Sequence, residues 1–172
     1  MAENPVEDAS KELPPAGAAP GRYLIFSIQG TSYALPSKSI NEVAAFENVF
    51  PLPLMPAYVR GIINRYFVPY ALIDIGLLLF QTPSGASKII VLKEEIDKLA
   101  FLIDDVTDIA DIAPADLVTV EQESAGTAGA GGASGEPEAS ALISASFTWK
   151  GSQVLCLEID ELIRRIKSEF AE

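Results

Sequence analysis

The sequence contains no histidine and a single cysteine, Cys156, among its 172 residues. Without histidine, the chain lacks the commonest general base and the commonest transition-metal ligand of proteins. One cysteine cannot form a disulfide within the chain or a thiolate zinc site, which favours a reducing compartment such as the cytoplasm. The neighbours of Cys156 are apolar, and an apolar environment raises the pKa of a thiol. We therefore interpret Cys156 as a core residue and not as a nucleophile.

Long hydrophobic runs and a basic N-terminal leader are also missing. The longest apolar stretch, around residues 67–80, is interrupted by Pro69, Asp74 and Gly76, whereas a membrane-spanning helix needs roughly 20 consecutive apolar residues. The N-terminus carries acids where a secretory signal carries bases. We therefore expect no direct membrane insertion and a cytoplasmic location.

Basic residues are outnumbered, with 12 Lys and Arg against 24 Asp and Glu and a net charge of −12. Such a charge argues against nucleic acid and against anionic membrane surfaces as partners. Much of it lies in two segments, 1–20 with a net charge of −3 and 121–141 with −4. The first is rich in proline and small residues and is predicted to be a disordered acidic tail. The second is predicted to be a flexible Gly/Ala/Ser loop inserted into the domain.

Residues 21–170 have the pattern of an all-β domain. Short runs rich in Val, Ile, Leu and aromatic residues are separated by Gly- and Pro-containing turns at a spacing of about 8–12 residues. The pattern predicts strands at 23–28, 32–36, 40–46, 60–64, 66–75, 88–92, 99–103, 106–110, 143–149 and 153–159. About ten short strands with little helix indicate barrels or a sandwich.

Two helical segments are predicted, each with an aspartate as its N-cap. Asp74 is expected to cap a short turn and Asp160 a C-terminal helix. The apolar face of the C-terminal helix would contain Ile159, Leu162, Ile163, Ile166 and Phe170. The aromatic residues at strand positions, Phe67 among them, are expected to pack in the core, and Trp149 could lie at its rim.

One acidic cluster, Asp104, Asp105, Asp108 and Asp111, is the place where a metal could be imagined. Its spacing does not match a calcium loop, and in a strand Asp108 and Asp111 would point to opposite faces. We interpret these carboxylates as solvated groups at strand ends and turns, with a metal-dependent or ligand-binding barrel as the alternative. No phosphate-binding loop is present. The sequence therefore predicts a binding module without catalytic residues, metal or cofactor.

Several motifs occur in a fixed order and carry a resemblance to a known family. They are YLIF at 23–26, YALP at 33–36, INEV at 40–43, VRGIIN at 59–64, LIDI at 72–75, IDDVTDI at 103–109 and the closing segment 154–162. In this order, and with nearly the family's spacing, they resemble the CheW family of chemotaxis coupling proteins over 21–170.

The resemblance implies a fold and a function. The expected fold is two small, five-stranded, SH3-like β-barrels that share a core, followed by a C-terminal helix. The expected function is that of a non-catalytic adaptor, or scaffold, that couples methyl-accepting chemoreceptors to the histidine kinase CheA in two-component signal transduction. Its partners would be the regulatory domain of CheA and the cytoplasmic tip of the receptors. The alternative is a divergent CheW-like adaptor for another kinase pathway, controlling motility or gene expression.

Positions within these motifs imply the functional residues. The partner-binding candidates are Ile40, Glu42, Arg60, Gly61, Tyr66 and Val106. Arg60 could equally be a solvated charge, and Gly61 could serve a local turn, a bulge or the close approach of another backbone. Asn64 and Asp74 are assigned structural roles as hydrogen-bond partners of loop backbones. We expect Gly61→Trp to abolish partner binding while leaving the thermal transition largely intact.

The chain departs from the family after Asn64. The family has Leu-Arg-Gly there, followed by a proline at the position of Ala71. This chain has Arg65, Tyr66 and Phe67 instead. Tyr66 thus replaces an arginine of the family's signalling surface, and Phe67 replaces a turn glycine. We expect the fold to tolerate these changes and the choice of partner to be affected.

Overall fold

The computed structural model describes residues 20–85, 87–119 and 142–169. These ranges contain eleven strands and two α-helices. The strands are β1 (Gly21–Ile28), β2 (Thr31–Pro36), β3 (Ile40–Ala45), β4 (Val59–Arg65), β5 (Val68–Asp74), β6 (Lys88–Leu92), β7 (Leu99–Ile103), β8 (Asp105–Ile112), β9 (Val118–Thr119), β10 (Ile143–Trp149) and β11 (Ser152–Leu157). The helices are α1 (Ile75–Phe80) and α2 (Ile159–Ser168). The predicted tail, up to residue 19, the predicted loop at 121–141 and Phe170 lie outside the described residues.

The strands form two sheets. The first has the order β8-β1-β2-β11-β10-β9 and the second the order β3-β6-β7-β5-β4. Each contains one parallel pair, β2 with β11 and β5 with β7. The second sheet is built from one continuous stretch of chain, whereas the first combines strands from before and after that stretch.

Each sheet curls around its own apolar interior, and the two sheets pack against each other through a larger shared core. Strand β7 shows the arrangement, because Leu99, Phe101 and Ile103 face the shared core while Ala100 and Leu102 face the interior of the second sheet. Burial on both faces explains why such strands are apolar throughout and do not alternate. The prediction of two small barrels around a shared core is confirmed. The first sheet has six strands because it includes the two-residue β9.

Three hairpins have two-residue turns in which both residues have positive φ. These are Gln29-Gly30 at φ 51° and 80°, Tyr66-Phe67 at 52° and 66°, and Lys150-Gly151 at 48° and 81°. Positive φ at both positions is typical of a type I′ turn, whose twist matches that of the flanking strands. The predicted strand at 66–75 therefore begins too early. The β-forming character of Tyr66 and Phe67 concealed a turn.

The short helix α1 is capped as predicted. Oδ1 of the buried Asp74 accepts a hydrogen bond from the Leu77 backbone N–H at 3.2 Å and another from the Ser84 N–H at 3.2 Å. These contacts fix the helix and the loop that follows it. A capping carboxylate of this kind satisfies backbone donors that would otherwise be unpaired.

The C-terminal helix α2 begins two residues earlier than predicted. Its N-cap is Glu158, so the prediction that Asp160 caps it is wrong. Asp160 lies in the first turn, where a negative charge interacts favourably with the helix dipole. Ile159, Leu162 and Ile166 of α2 lie in the shared core. No helix among the described residues is long and apolar enough to cross a membrane.

Candidate functional site

Glu42, Arg65 and Tyr66 form a small polar cluster at the edge of the second sheet. The Arg65 guanidinium donates from Nε to Oε1 of Glu42 at 2.6 Å and from Nη2 to Oε2 at 3.1 Å. The Tyr66 hydroxyl approaches Oε2 at 3.4 Å, and the Arg65 guanidinium lies 5.4 Å from the centre of the Tyr66 ring. The two charged side chains are only 21–26% exposed. The cluster is therefore a well-ordered ion pair with an aromatic ring stacked on it.

The ion pair shifts the pKa of both partners. Hydrogen bonds from Arg65 lower the pKa of Glu42, although partial burial opposes this shift. The hydrogen bond to Glu42 raises the pKa of Arg65 in turn. Both groups are thus held in their charged forms, and each charge is balanced by the other.

The strand geometry explains how these residues meet. Glu42 lies on β3 and Arg65 at the end of β4, which are the two edge strands of the second sheet. A register shift between Ile40 and Glu42 interrupts the pairing of β3 with β6. A bulge of this kind bends the strand and re-aims its side chains. In the order of backbone pairing, β3 and β4 lie at opposite ends of the second sheet. The ion pair between Glu42 and Arg65 connects these two edge strands.

Gly61 lies where the chain needs the absence of a side chain. Its φ is +137°, and a Cβ atom at this position would lie 2.2 Å from the carbonyl oxygen of Phe50 and 2.8 Å from the Pro51 Cα. Phe50 and Ile62 exchange backbone hydrogen bonds of 2.8 Å in both directions next to it. The expected close approach of another backbone is therefore found within this chain. The expectation that Gly61→Trp would leave the thermal transition intact is wrong, because even a methyl group would collide with the backbone.

Ile40 and Val106 lie at the rim of the shared core. Both side chains are partly buried and pack against it. Ile40 is paired with Leu92, and Val106 with Phe26, next to a register shift in the pairing of β1 with β8. Each of these two residues thus presents part of an apolar side chain at the junction of the two sheets.

Arg60 and Asn64 are exposed on β4. Within residues 20–85, 87–119 and 142–169, neither side chain makes a hydrogen bond or ion pair. Asp74, in contrast, is buried and binds backbone N–H groups. Among the described residues, Asp74 therefore makes the backbone hydrogen bonds predicted for a structural residue, whereas Asn64 makes none.

The acidic residues of 104–111 are each engaged by a different partner. Asp105 forms an ion pair with Lys88 at 2.7 Å, and Asp111 one with Arg22 at 2.9 Å. These pairs lower the pKa of both carboxyl groups. Among the described residues, no group of three or more His, Cys, Asp or Glu could hold a metal ion.

Asp104 connects the two sheets. Its Oδ2 accepts a hydrogen bond from the Gln29 backbone N–H at 2.7 Å, and its Oδ1 accepts one from the Gly85 N–H. The Gln29 side chain continues the bridge, donating from Nε2 to the Thr82 carbonyl oxygen at 2.9 Å. The β1–β2 turn of the first sheet is thereby fixed to the loop after α1.

Asp108 connects β8 of the first sheet with the β10–β11 turn, much as the Glu42–Arg65 ion pair connects β3 with β4 in the second sheet. Its Oδ2 accepts from the Trp149 Nε1 at 3.1 Å and from the Lys150 Nζ at 2.7 Å. Trp149 packs partly against the interior of this sheet, which agrees with the expectation of a rim position. The three hydrogen bonds to Asp108, from Lys150, Trp149 and the Ile109 N–H, lower its pKa.

Sequence reasoning missed two residues of this region. The sequence marks Arg65 only as a departure from the family, because its partner Glu42 lies 23 residues away and the contact depends on sheet closure. Phe67 was expected in the core, but its side chain is 97% exposed. Its place at a position where the family has a turn glycine was the available signal.

A pocket of about 230 Å³ lies beside the ion pair. Its lining contains Phe50, Ile63 and Ile89 together with the polar side chains of Glu47, Asn64 and Arg65. The pocket therefore combines apolar side chains with a carboxylate, an amide and a guanidinium group. Such a combination suits the side chain of a binding partner better than it suits chemistry.

Comparison with known proteins identifies the family to which the chain belongs. Residues 22–167 match the family described as CheW-like domain. The fold is similar to the crystal structure of the scaffolding protein TtCheW from Thermoanaerobacter tengcongensis, with a TM-score of 0.65 and 17% sequence identity. The similarity covers 81% of this chain and 90% of that one. No curated protein sequence matches the chain. The chain therefore belongs to the CheW-like domain family, whose members are non-catalytic scaffolds and adaptors of chemotaxis.

Proposed function

We propose that the chain couples methyl-accepting chemoreceptors to the histidine kinase CheA. The observation that carries this proposal is the family match over residues 22–167. In this role the chain would transmit a signal by holding two partners together and would perform no reaction. Residues 21–170 would act as one adaptor unit, because both sheets contribute to the same core.

The receptor would bind at the junction of the two sheets. Ile40 and Val106 support this placement, because their partly buried side chains offer apolar surface at the rim of the shared core. Glu42 would border this surface, with its charge already balanced by Arg65. A balanced charge costs less to desolvate than an isolated one.

Arg60 and Gly61 would contribute in different ways. Arg60 is exposed and has its charge available for a partner. Gly61 is buried, so it would act indirectly by allowing the Phe50–Pro51 backbone to lie against β4. The regulatory domain of CheA would bind elsewhere on one of the two barrels. Asp74 would support these surfaces from within the second sheet, through its hydrogen bonds to the backbone of Leu77 and Ser84.

One observation favours the alternative of a divergent adaptor for another kinase pathway. Tyr66 and Phe67 are 75% and 97% exposed at a turn where the family has an arginine and a glycine. An altered exposed surface changes partner choice more readily than it changes the fold.

Calorimetric titration against two partners would test the proposal. The purified chain is titrated with the CheA regulatory domain and, separately, with a cytoplasmic receptor fragment from the same organism. Saturable binding to both is the expected result. Binding to neither by a folded sample would refute the proposal, and binding to the regulatory domain of a different kinase would favour the alternative.

A matched pair of variants would locate the receptor site. Val106→Ala removes apolar surface at the rim of the shared core, whereas Val118→Ala removes it from β9, where Val118 is exposed. We expect only Val106→Ala to weaken receptor binding, and neither variant to change kinase binding. Equal effects of the two variants would contradict the placement of the receptor at the junction.

A further inference from the structure

An apolar pocket of about 330 Å³ lies where the end of α2 meets β4 and β5. Its lining includes Val59, Ile62 and Ile73 from the strands and Ile166 from the helix. Val59, Ile73 and Ile166 belong to the shared core, so the pocket is an opening of that core toward the surface. Water finds few hydrogen-bond partners in such a pocket, and walls without a neighbour lose packing contacts. A large apolar side chain would supply those contacts.

The end of α2 is held beside this pocket by two polar contacts with the second sheet. The Lys167 Nζ lies 2.6 Å from Oδ2 of Asp97, in the turn between β6 and β7. The Tyr58 hydroxyl, at the start of β4, donates to Oε2 of Glu169 at 2.9 Å. Lys167 itself lines the pocket. The chain therefore leaves the helix from a fixed position at the edge of the pocket.

The register of α2 directs the next apolar residue of the chain to the same place. Phe170 lies outside the described residues and directly follows Glu169, whose φ of −76° and ψ of −17° are still those of a right-handed helix. One further helical residue would place Phe170 four positions after Ile166 and on the same face of the helix. Helical side chains point back toward the N-terminus, so its ring would lie over the turn that carries Ile166.

We propose that Phe170 inserts its ring into this pocket, which is thus a docking site for the segment that follows α2. Connection through the chain keeps Phe170 close to the pocket, at an effective concentration that a separate molecule rarely reaches. The Lys167 charge is already paired with Asp97, so it offers no unbalanced charge to an anionic ligand. In this role Phe170 ties the last helix to the second sheet, and an external side chain would have to displace it. This inference is independent of the proposed function.

Nuclear magnetic resonance of one methyl group provides a direct test. The chain has two methionines, Met1 and Met55, and Met55 lines the pocket. An aromatic ring shifts the resonance of a methyl group beside it, so we expect Phe170→Ala to move the Met55 methyl signal of the full-length chain. The matched control is Phe67→Ala, since the Phe67 ring is 97% exposed in the β4–β5 turn. An unchanged Met55 signal in Phe170→Ala, or an equal change in both variants, would overturn the inference.

Rescue by a small apolar molecule gives a second readout. Phe170→Ala should lower the Tm by about 5 °C, because it removes a ring from an apolar site. Toluene should bind the emptied pocket and restore part of this loss, while Phe170→Leu should keep most of the wild-type Tm. Toluene should not raise the Tm of the wild type or of Phe67→Ala.

Three outcomes of the rescue experiment would contradict the inference. An unchanged Tm in Phe170→Ala would show that the ring has no site in the fold, and a loss that toluene does not restore would place the ring elsewhere. Equal stabilisation of the wild type and Phe170→Ala by toluene would show a pocket that the chain leaves open, available to a second copy or another partner.

Discussion

Arg65 clasps the carboxylate of Glu42 with two hydrogen bonds, of 2.6 Å and 3.1 Å, and so joins β4 to β3. The first sheet has a counterpart in Asp108, which binds the ammonium group of Lys150 at 2.7 Å. In both places the cation lies over an aromatic ring, Tyr66 or Trp149. In each sheet, therefore, a carboxylate on one edge strand pairs with a cation from a distant part of the same sheet, and that cation lies over an aromatic ring.

Loss of the Glu42 charge should reduce stability. We expect Glu42→Gln to lower the free energy of unfolding by about 1 kcal/mol at neutral pH, because a partly buried, two-point ion pair is replaced by a neutral contact. The control is Asp111→Asn, which removes a pair whose members are more than half exposed. It should leave the urea midpoint unchanged.

The stabilising effect of Glu42 should depend on pH. Because Arg65 lowers the pKa of Glu42 from its ordinary value of 4.5 in the folded state, the contribution is fully present above that value. It should be lost as the pH falls through the lower pKa of the folded state. Urea unfolding of wild type and Glu42→Gln between pH 7 and pH 3 would show this as converging curves. A difference that stays constant over this range would contradict the ion-pair explanation.

Gly61 should tolerate no larger residue. We expect Gly61→Ala to lower the free energy of unfolding by about 3 kcal/mol, combining backbone strain with a collision against Phe50. Gly30→Ala is the matched control, because Gly30 also has positive φ but a Cβ there would meet nothing within 4 Å. It should cost only about 1 kcal/mol. Equal losses in thermal unfolding would show that strain alone matters at Gly61.

Phe67 should be a destabilising residue in the isolated chain. We expect Phe67→Gly to raise the free energy of unfolding by about 0.5–1 kcal/mol, since relief of the positive φ exceeds the added flexibility of glycine in the unfolded state. Gly151→Phe in the first sheet should lower it by a similar amount, because that turn is equally open. Thermal melts of both variants would measure these shifts. Lower stability of Phe67→Gly would mean that the ring supports the fold.

Cys156 should be unreactive while the chain is folded. Burial is the main cause that raises its pKa to about 12, so almost no thiolate exists at neutral pH. Alkylation by iodoacetamide at pH 7.5 should be slow in buffer and rapid in denaturant. Rapid modification of the native chain would show that the core of the first sheet opens readily.

The fold was largely predictable because most strands have apolar residues on both faces. Runs such as 88–92 and 99–103 must bury both faces, and this requirement indicated a core on each side of the strand. The cap at Asp74 was predictable for a local reason, since its hydrogen bonds reach only the next few residues and one loop. The prediction of an N-cap at Asp160 is wrong because Ile159, the first residue of the helix, packs in the shared core. This packing outweighs the preference of aspartate for the N-cap position.

The candidate site was harder to predict, since its contacts join distant parts of the chain. Glu42 meets Arg65 only after β3 and β4 become the two edges of one curled sheet. The acidic residues of 104–111 meet their separate partners for the same reason. At Phe67, two local preferences conflicted, because an aromatic residue favours a strand while the turn requires positive φ.

The interrupted order of the first sheet has a consequence for synthesis on the ribosome. The second sheet, from Ile40 to Ile103, can pair all its strands as soon as that stretch has emerged. The β1–β2 hairpin emerges earlier, but its neighbour β11 is made last, after more than a hundred intervening residues. During elongation the β2 edge of this hairpin therefore stays unpaired, and an unpaired strand edge can pair with the wrong segment. The slowest step in maturation should be the final pairing of β11 with β2, together with the addition of β10 and α2, after the second sheet has already formed.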